Sequence, residues 1–149
     1  MKETLKHVDI LLIEDNPGDV ELAREALNSS KIRNTLNVVN DGVQAMDYLN
    51  NTGDYINVKR PDLILLDLNL PRIDGREVLK RIKSSNHLQT IPVVILTTSS
   101  AEADILKSYS LHANCYITKP LDFHQFMKVV KSIENFWMSI VVVLPPKED

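Results

Sequence analysis

The sequence predicts an α/β fold, a doubly wound parallel sheet of five strands, and three observations carry that prediction. Short, continuously apolar runs recur at residues 10–13, 63–66 and 92–96, which is how strands buried on both faces read. Segments with apolar residues at helical spacing lie between them. Strand and helix patterns then alternate along all 149 residues, a length suited to one domain. Parallel neighbours need crossover connections, and the crossover helices must cover both faces of the sheet.

The first run stands between Asp9 and the acidic pair Glu14 and Asp15, and predicts a central strand. Asn16 and Pro17 then offer a side-chain N-cap and a proline at the first helical position, with Val20, Ala23 and Leu27 at helical spacing behind them. Residues 36–39 predict the second strand, 42–49 a helix and 63–66 the third strand. After Gly75, Val78, Leu79 and Ile82 mark one face of the next helix, and residues 92–96 predict the fourth strand. Ser99 and Glu102 have capping-box spacing and open a helix to about Leu111, and residues 115–118 predict the fifth strand. From Asp122 a last helix carries Phe123, Phe126, Val130, Ile133 and Trp137 at steps of three and four, a stripe that reads as core docked on a sheet. The stretch from Asn50 to Pro61 is long for a connection in such a fold, and an exposed loop is expected there.

Composition narrows the function classes. With 17 Lys+Arg against 20 Asp+Glu the formal net charge is -3, and neither terminus carries a basic run, which disfavours nucleic-acid binding. The single cysteine, Cys115, cannot form an intrachain disulfide, so a reducing, cytoplasmic location is expected. The N-terminal segment lacks a signal-peptide core and no stretch approaches the roughly 18 apolar residues of a membrane span, so no membrane association is expected.

Each polar cluster falls at a strand's carboxyl end: Glu14 and Asp15 after the first, Asp67 after the third, Thr97 after the fourth, Lys119 and Pro120 after the fifth. Ligands of doubly wound sheets bind along that edge, near the point where the strand order reverses. Three carboxylates in one crevice repel unless a cation compensates them. Mg²⁺ suits two or three carboxylates with retained waters better than Ca²⁺ does, and the scattered His7, His87, His112 and His124 argue against zinc. A carboxylate beside Mg²⁺, facing a lysine and a hydroxyl, is arranged for phosphoryl chemistry. Asp67 would then be the nucleophile and its product an aspartyl phosphate, with Lys119 and Thr97 sharing the charge on the phosphoryl oxygens.

At these residues the chain resembles the receiver domains of two-component response regulators, over roughly residues 8–138. The match lies in Ile13-Glu14-Asp15, in Leu65-Leu66-Asp67-Leu68-Asn69-Leu70-Pro71 with Asp74-Gly75, in Val94-Ile95-Leu96-Thr97, and in Tyr116-Ile117-Thr118-Lys119-Pro120. The resemblance implies the (βα)5 flavodoxin-like, CheY-like receiver fold and phosphoryl transfer to Asp67 from a phosphohistidine of a sensor histidine kinase. It implies Mg²⁺ held by Asp15, Asp67 and the backbone carbonyl of Asn69, with Glu14 helping through water. It also implies a switch in which Thr97 moves toward the phosphoryl group, Tyr116 turns inward, and partner affinity changes around the last strand and the helices flanking it. Such a protein catalyses only its own phosphotransfer and autodephosphorylation. Glu14-Asp15 stands where Asp-Asp is commoner in the family, and Asn69 and Ser99 occupy positions that tune acyl-phosphate hydrolysis.

The stretch from Asn69 to Leu79, the loop of residues 50–61 and Glu134-Asn135-Phe136-Trp137 are similar to single-domain regulators that partner phytochrome-type kinases. On this reading residues 1–139 form the receiver domain and 140–149 a C-terminal extension, with no output domain, so the signal leaves by protein contact. A histidine phosphotransfer protein is a further partner the family offers. The apolar, β-branched run of residues 140–144, stopped by Pro145 and Pro146, could add a strand or cover a hydrophobic surface. The subgroup implies a homodimer through the last helix and this extension.

Two rival classes are weaker. Small-molecule phosphohydrolases carry Asp-x-Asp after the first strand, whereas Asp67-Leu68-Asn69 follows the third here, and Gly18, Gly42, Gly53 and Gly75 form no nucleotide-binding fingerprint. A phosphorylation-independent binding module is the alternative within the same family.

Overall fold

A computed structural model describes residues 7–97, 115–118 and 122–143, with side chains over 7–96 and 122–135. The described elements are β1 (Val8–Ile13), α1 (Pro17–Asn28), β2 (Asn34–Val39), α2 (Gly42–Asn50), a 3-10 turn (Gly53–Tyr55), β3 (Leu63–Asp67), α3 (Gly75–Ser84), β4 (Val93–Thr97), β5 (Cys115–Thr118) and α4 (Phe123–Val143). The strands form one parallel sheet in the order β2-β1-β3-β4-β5. The helix expected over residues 99–111 lies outside the described residues.

Pleat alternation sorts each strand's side chains onto two faces, and two separate cores result. Ile10 and Leu12 of β1 join Leu63 and Leu65 of β3, Ala23 and Leu27 of α1, and Phe126 and Val130 of α4. Leu11 and Ile13 join Ile64 and Leu66, Ala45 and Leu49 of α2, and Val78, Leu79 and Ile82 of α3. Crossover handedness explains the division. α1 carries the chain from β1 outward to β2, whereas α2 carries it back past β1 to β3, and right-handed crossovers in opposite directions put their helices on opposite faces. Because both faces are covered, β3 is buried at all five positions, while the edge strand β2 is fully buried only at Val39.

Helix starts follow the expected capping chemistry. Asn16 Oδ1 accepts from the Asp19 amide at 3.0 Å with Pro17 as the first helical residue, and Asp41 Oδ1 accepts from the Gln44 amide at 2.8 Å. Such caps satisfy amides that have no partner within the helix.

One expectation is met and two are corrected. The 50–61 stretch is the expected exposed loop, exposed at eight of the ten positions 51–60, and it carries its own hydrogen bonds. Asn51 turns the chain at φ 57°, and its amide group donates to the carbonyls of Tyr55 and Val58 at 3.2 and 2.8 Å. The Tyr55 ring packs 5.3 Å from that of Tyr48, and Arg60 donates to the His87 carbonyl and the Thr90 hydroxyl. Phe123, expected in the docked stripe of the last helix, is 40% exposed, because packing begins a turn later at Phe126. Finally, residues 140–143 continue α4 rather than forming a strand. Once a helix is running, each further residue costs only its propensity, about 0.5 kcal/mol for a β-branched side chain, and no new nucleus is required.

Candidate functional site

The sheet order reverses between β1 and β3, and the acidic residues collect there. Ile13 pairs with Leu66, so the residues that follow, Glu14 and Asp67, leave the same edge side by side. Asp15 stands one position further along the turn into α1. Each of the three carboxylates offers an oxygen, and these oxygens lie within 4.8 Å of one another. Glu14 and Asp67 are fully buried, the two buried charged residues among those described, whereas Asp15 is exposed. Backbone amides hold the buried pair in place: Asn16 N–H donates to Glu14 Oε2 at 3.1 Å and Asn69 N–H to Asp67 Oδ1 at 3.0 Å.

Unit charges at that separation repel by about 3 kcal/mol per pair at an effective dielectric near 20. The arrangement therefore favours a cation. Its donors are all carboxylate oxygens, without histidine or sulfur, and one member faces solvent, so a hard divalent ion that keeps part of its water shell fits the set.

The loop after β3 is clamped at two glycines. Leu68 N–H donates to the Leu96 carbonyl at 3.1 Å and Gly75 N–H to the Leu68 carbonyl at 3.0 Å. A Cβ on Gly75 would stand 2.3 Å from the Asp67 carbonyl oxygen and 2.6 Å from Leu68 Cα. Gly42, at the start of α2, faces the same loop: its N–H donates to the Pro71 carbonyl at 3.3 Å, and a Cβ would stand 2.0 Å from the Ile73 carbonyl oxygen. Between these contacts Arg72 takes φ 71°, the left-handed region. From the sequence both glycines open helices, and Gly75 also belongs to the motif that carries the family resemblance, but neither close approach was read there. Their signal was nonetheless present, because glycine opening a helix is a poor helix former and calls for a steric reason.

Asn69 is exposed on this loop. Thr97 ends β4 one residue beyond Leu96, the partner of Asp67, and Tyr116 lies in β5 opposite Ile95. Both strands thus end toward the acidic edge. Lys119 and Pro120 lie outside the described residues.

The family model of the response regulator receiver domain matches residues 10–131. The chain belongs to that family. The receiver is 49% identical over 134 residues to the response regulator Rcp1 of Synechocystis sp., covering 90% of this chain and 91% of that protein. Among solved structures, the phosphorylated cyanobacterial phytochrome response regulator RcpA is similar with a TM-score of 0.79 and 51% identity, over 95% of this chain and 100% of that one. The Mn²⁺-bound form of Rcp1 is similar with a TM-score of 0.78 and 48% identity, over 94% of this chain and 99% of that one. The receiver is therefore a two-component response regulator with the CheY-like fold, and its acidic cluster fits the divalent-cation pocket of such domains. Family membership implies a histidine kinase as partner. Among the described residues no helix is long and apolar enough to cross a membrane.

Proposed function

We propose that this receiver accepts a phosphoryl group on Asp67 from a sensor histidine kinase in a Mg²⁺-dependent reaction, and signals by phosphorylation-dependent protein contact. The observation that carries the reading is the convergence of Glu14, Asp15 and Asp67 within 4.8 Å at the sheet's reversal point. A carboxylate oxygen of Asp67 attacks the phosphorus of the phosphohistidine. The new P–O bond forms as the P–N bond breaks, and the imidazole leaves with the electron pair. Burial of Asp67 limits competing water at the nucleophile, and the Asn69 amide fixes its other oxygen. Glu14, Asp15, Asp67 and the Asn69 carbonyl are the groups to hold Mg²⁺, which when bound offsets negative charge on the phosphoryl oxygens. Lys119 and Thr97 are assigned the remaining charge, and Tyr116 the inward turn that follows. The phosphoryl group adds about -1.5 to -2 charge and three acceptors, enough to bias a two-state loop. Beyond this self-modification and its reversal the protein is not an enzyme.

Similarity to the cyanobacterial phytochrome response regulator RcpA supports a phytochrome-type kinase as the donor. A homodimer through α4 and the C-terminal extension is part of the same proposal. Seven of the eight residues from Phe136 to Val143 are apolar, and in a helix such a run reaches every face, more than docking by one stripe can cover. The decisive experiment is intact mass spectrometry after incubation with Mg²⁺ and a small-molecule phosphodonor. A phosphoryl adduct on the native protein, absent from Asp67→Asn and abolished by chelator, is expected. If neither the small donor nor a phosphorylated histidine kinase modifies the protein, the phosphorylation-independent binding module takes its place.

A further inference from the structure

The carboxylate of Asp15, unlike those of Glu14 and Asp67, is exposed, and among the described residues no hydrogen bond or ion pair holds it. The backbone that carries it fixes where its side chain departs. That backbone is tied on both sides of Glu14 to the carboxyl end of β2, the peptide before Glu14 through its N–H and the peptide joining Glu14 to Asp15 through its carbonyl. Glu14 N–H donates to the Val39 carbonyl at 3.0 Å. The Asn40 amide group donates to the Glu14 carbonyl at 3.1 Å, across 26 residues of sequence.

Asn40 is in turn fixed by the start of α2. Its own N–H donates to Gln44 Oε1 at 2.9 Å, while Gln44 N–H donates to Asp41 Oδ1 at 2.8 Å, a reciprocal arrangement akin to a capping box. The same helix start is pressed on the loop after Asp67 through Gly42. One end of α2 thus touches both halves of the acidic cluster: the Glu14–Asp15 turn through Asn40, and the phosphoacceptor loop through Gly42.

The geometry points to Asn40 as a positioning residue for divalent-ion binding, one that fixes the Glu14–Asp15 peptide and so aims the Asp15 carboxylate at Asp67. This rests on the metal reading above, and concerns a residue that touches neither ion nor phosphoryl group. Outer hydrogen-bond partners of metal ligands commonly govern affinity in this way. Asn40 is exposed, so removing its amide leaves the core intact and lets the turn and Asp15 sample other directions.

The test is isothermal titration of the metal-free protein with Mg²⁺ for the native chain, Asn40→Ala and Gln44→Ala, with thermal unfolding of each metal-free protein alongside. Asn40→Ala should weaken Mg²⁺ binding by roughly 10-fold while its metal-free unfolding midpoint stays near native. Gln44→Ala should show a smaller loss, because it acts only through Asn40. Unchanged affinity in Asn40→Ala would overturn the assignment, as would a loss matched by a fall in the metal-free midpoint, which would mark a merely structural role. No Mg²⁺ binding by the native chain would remove the metal reading itself and this role with it, so the two failures are distinguishable.

Discussion

Adding one methyl group at Gly75 sets two effects against each other. Alanine is the better helix former by up to about 1 kcal/mol, but its Cβ would press on the Asp67 carbonyl and the Leu68 backbone, neither of which is a flexible side-chain end. Overpacking of that kind costs typically 1–3 kcal/mol, so Gly75→Ala is expected to lower stability by about 1–2 kcal/mol and to displace the phosphoacceptor loop. A urea unfolding midpoint equal to or above native would contradict this. Tyr48 offers a test by pH. Burial first, then the charges of Asp9 and Tyr55, raise its phenol above the ordinary value. The native state then holds the proton more tightly than the unfolded chain, so this contribution is complete below about pH 10 and stability falls as pH rises beyond it. Between pH 9 and 11 the native protein should lose more stability than Tyr48→Phe, which keeps the ring packing and removes the titrating group. Glu14 and Asp67 were legible in the sequence because each directly follows an apolar run, and Asp15 because it completes the acidic pair after the first. Asn40 was not, since a polar residue between strand and helix reads as a turn, and its bond to Glu14 exists only because β2 lies beside β1.

The last helix shows how an element is held at a few points. Phe126 and Val130 are buried against β1, β3 and α1, and Glu134, one turn further on, reaches the connection between α1 and β2. Its Oε2 accepts from the Lys31 amide at 2.8 Å and the Ser30 hydroxyl at 3.0 Å. Hydrogen bonds to an ionised carboxylate contribute about 1.5–3 kcal/mol, and solvent at this half-buried site argues for the low end. Glu134→Ala should therefore cost about 1–2 kcal/mol, against about 3–5 kcal/mol for Phe126→Ala. Hydrogen exchange should show faster opening of residues 31–34 in Glu134→Ala. If only the helix amides changed, the bridge would not be holding the connection. The strands and helix starts were readable from apolar runs and caps, which are local signals. The order of strands is not local, and the C-terminal apolar run was ambiguous because its residue types suit a strand while its covalent attachment to a formed helix does not.

Assembly is where the length of α4 matters. A helix rises 1.5 Å per residue, so the eight residues from Phe136 to Val143 extend it by about 12 Å past Asn135. Seven of them are apolar, and in the homodimer proposed above a second copy related by a two-fold axis would let identical surfaces cover each other. Truncation after Met138 separates this from intramolecular packing. The shortened helix keeps Phe126, Val130 and Glu134, so the receiver should remain folded, with a thermal midpoint close to native and the same Asp67 adduct from a small phosphodonor. Its solution mass at high concentration should fall from dimer to monomer. An unchanged mass would place any self-association on another surface, whereas a monomeric native chain whose midpoint drops on truncation would assign the apolar run to its own fold.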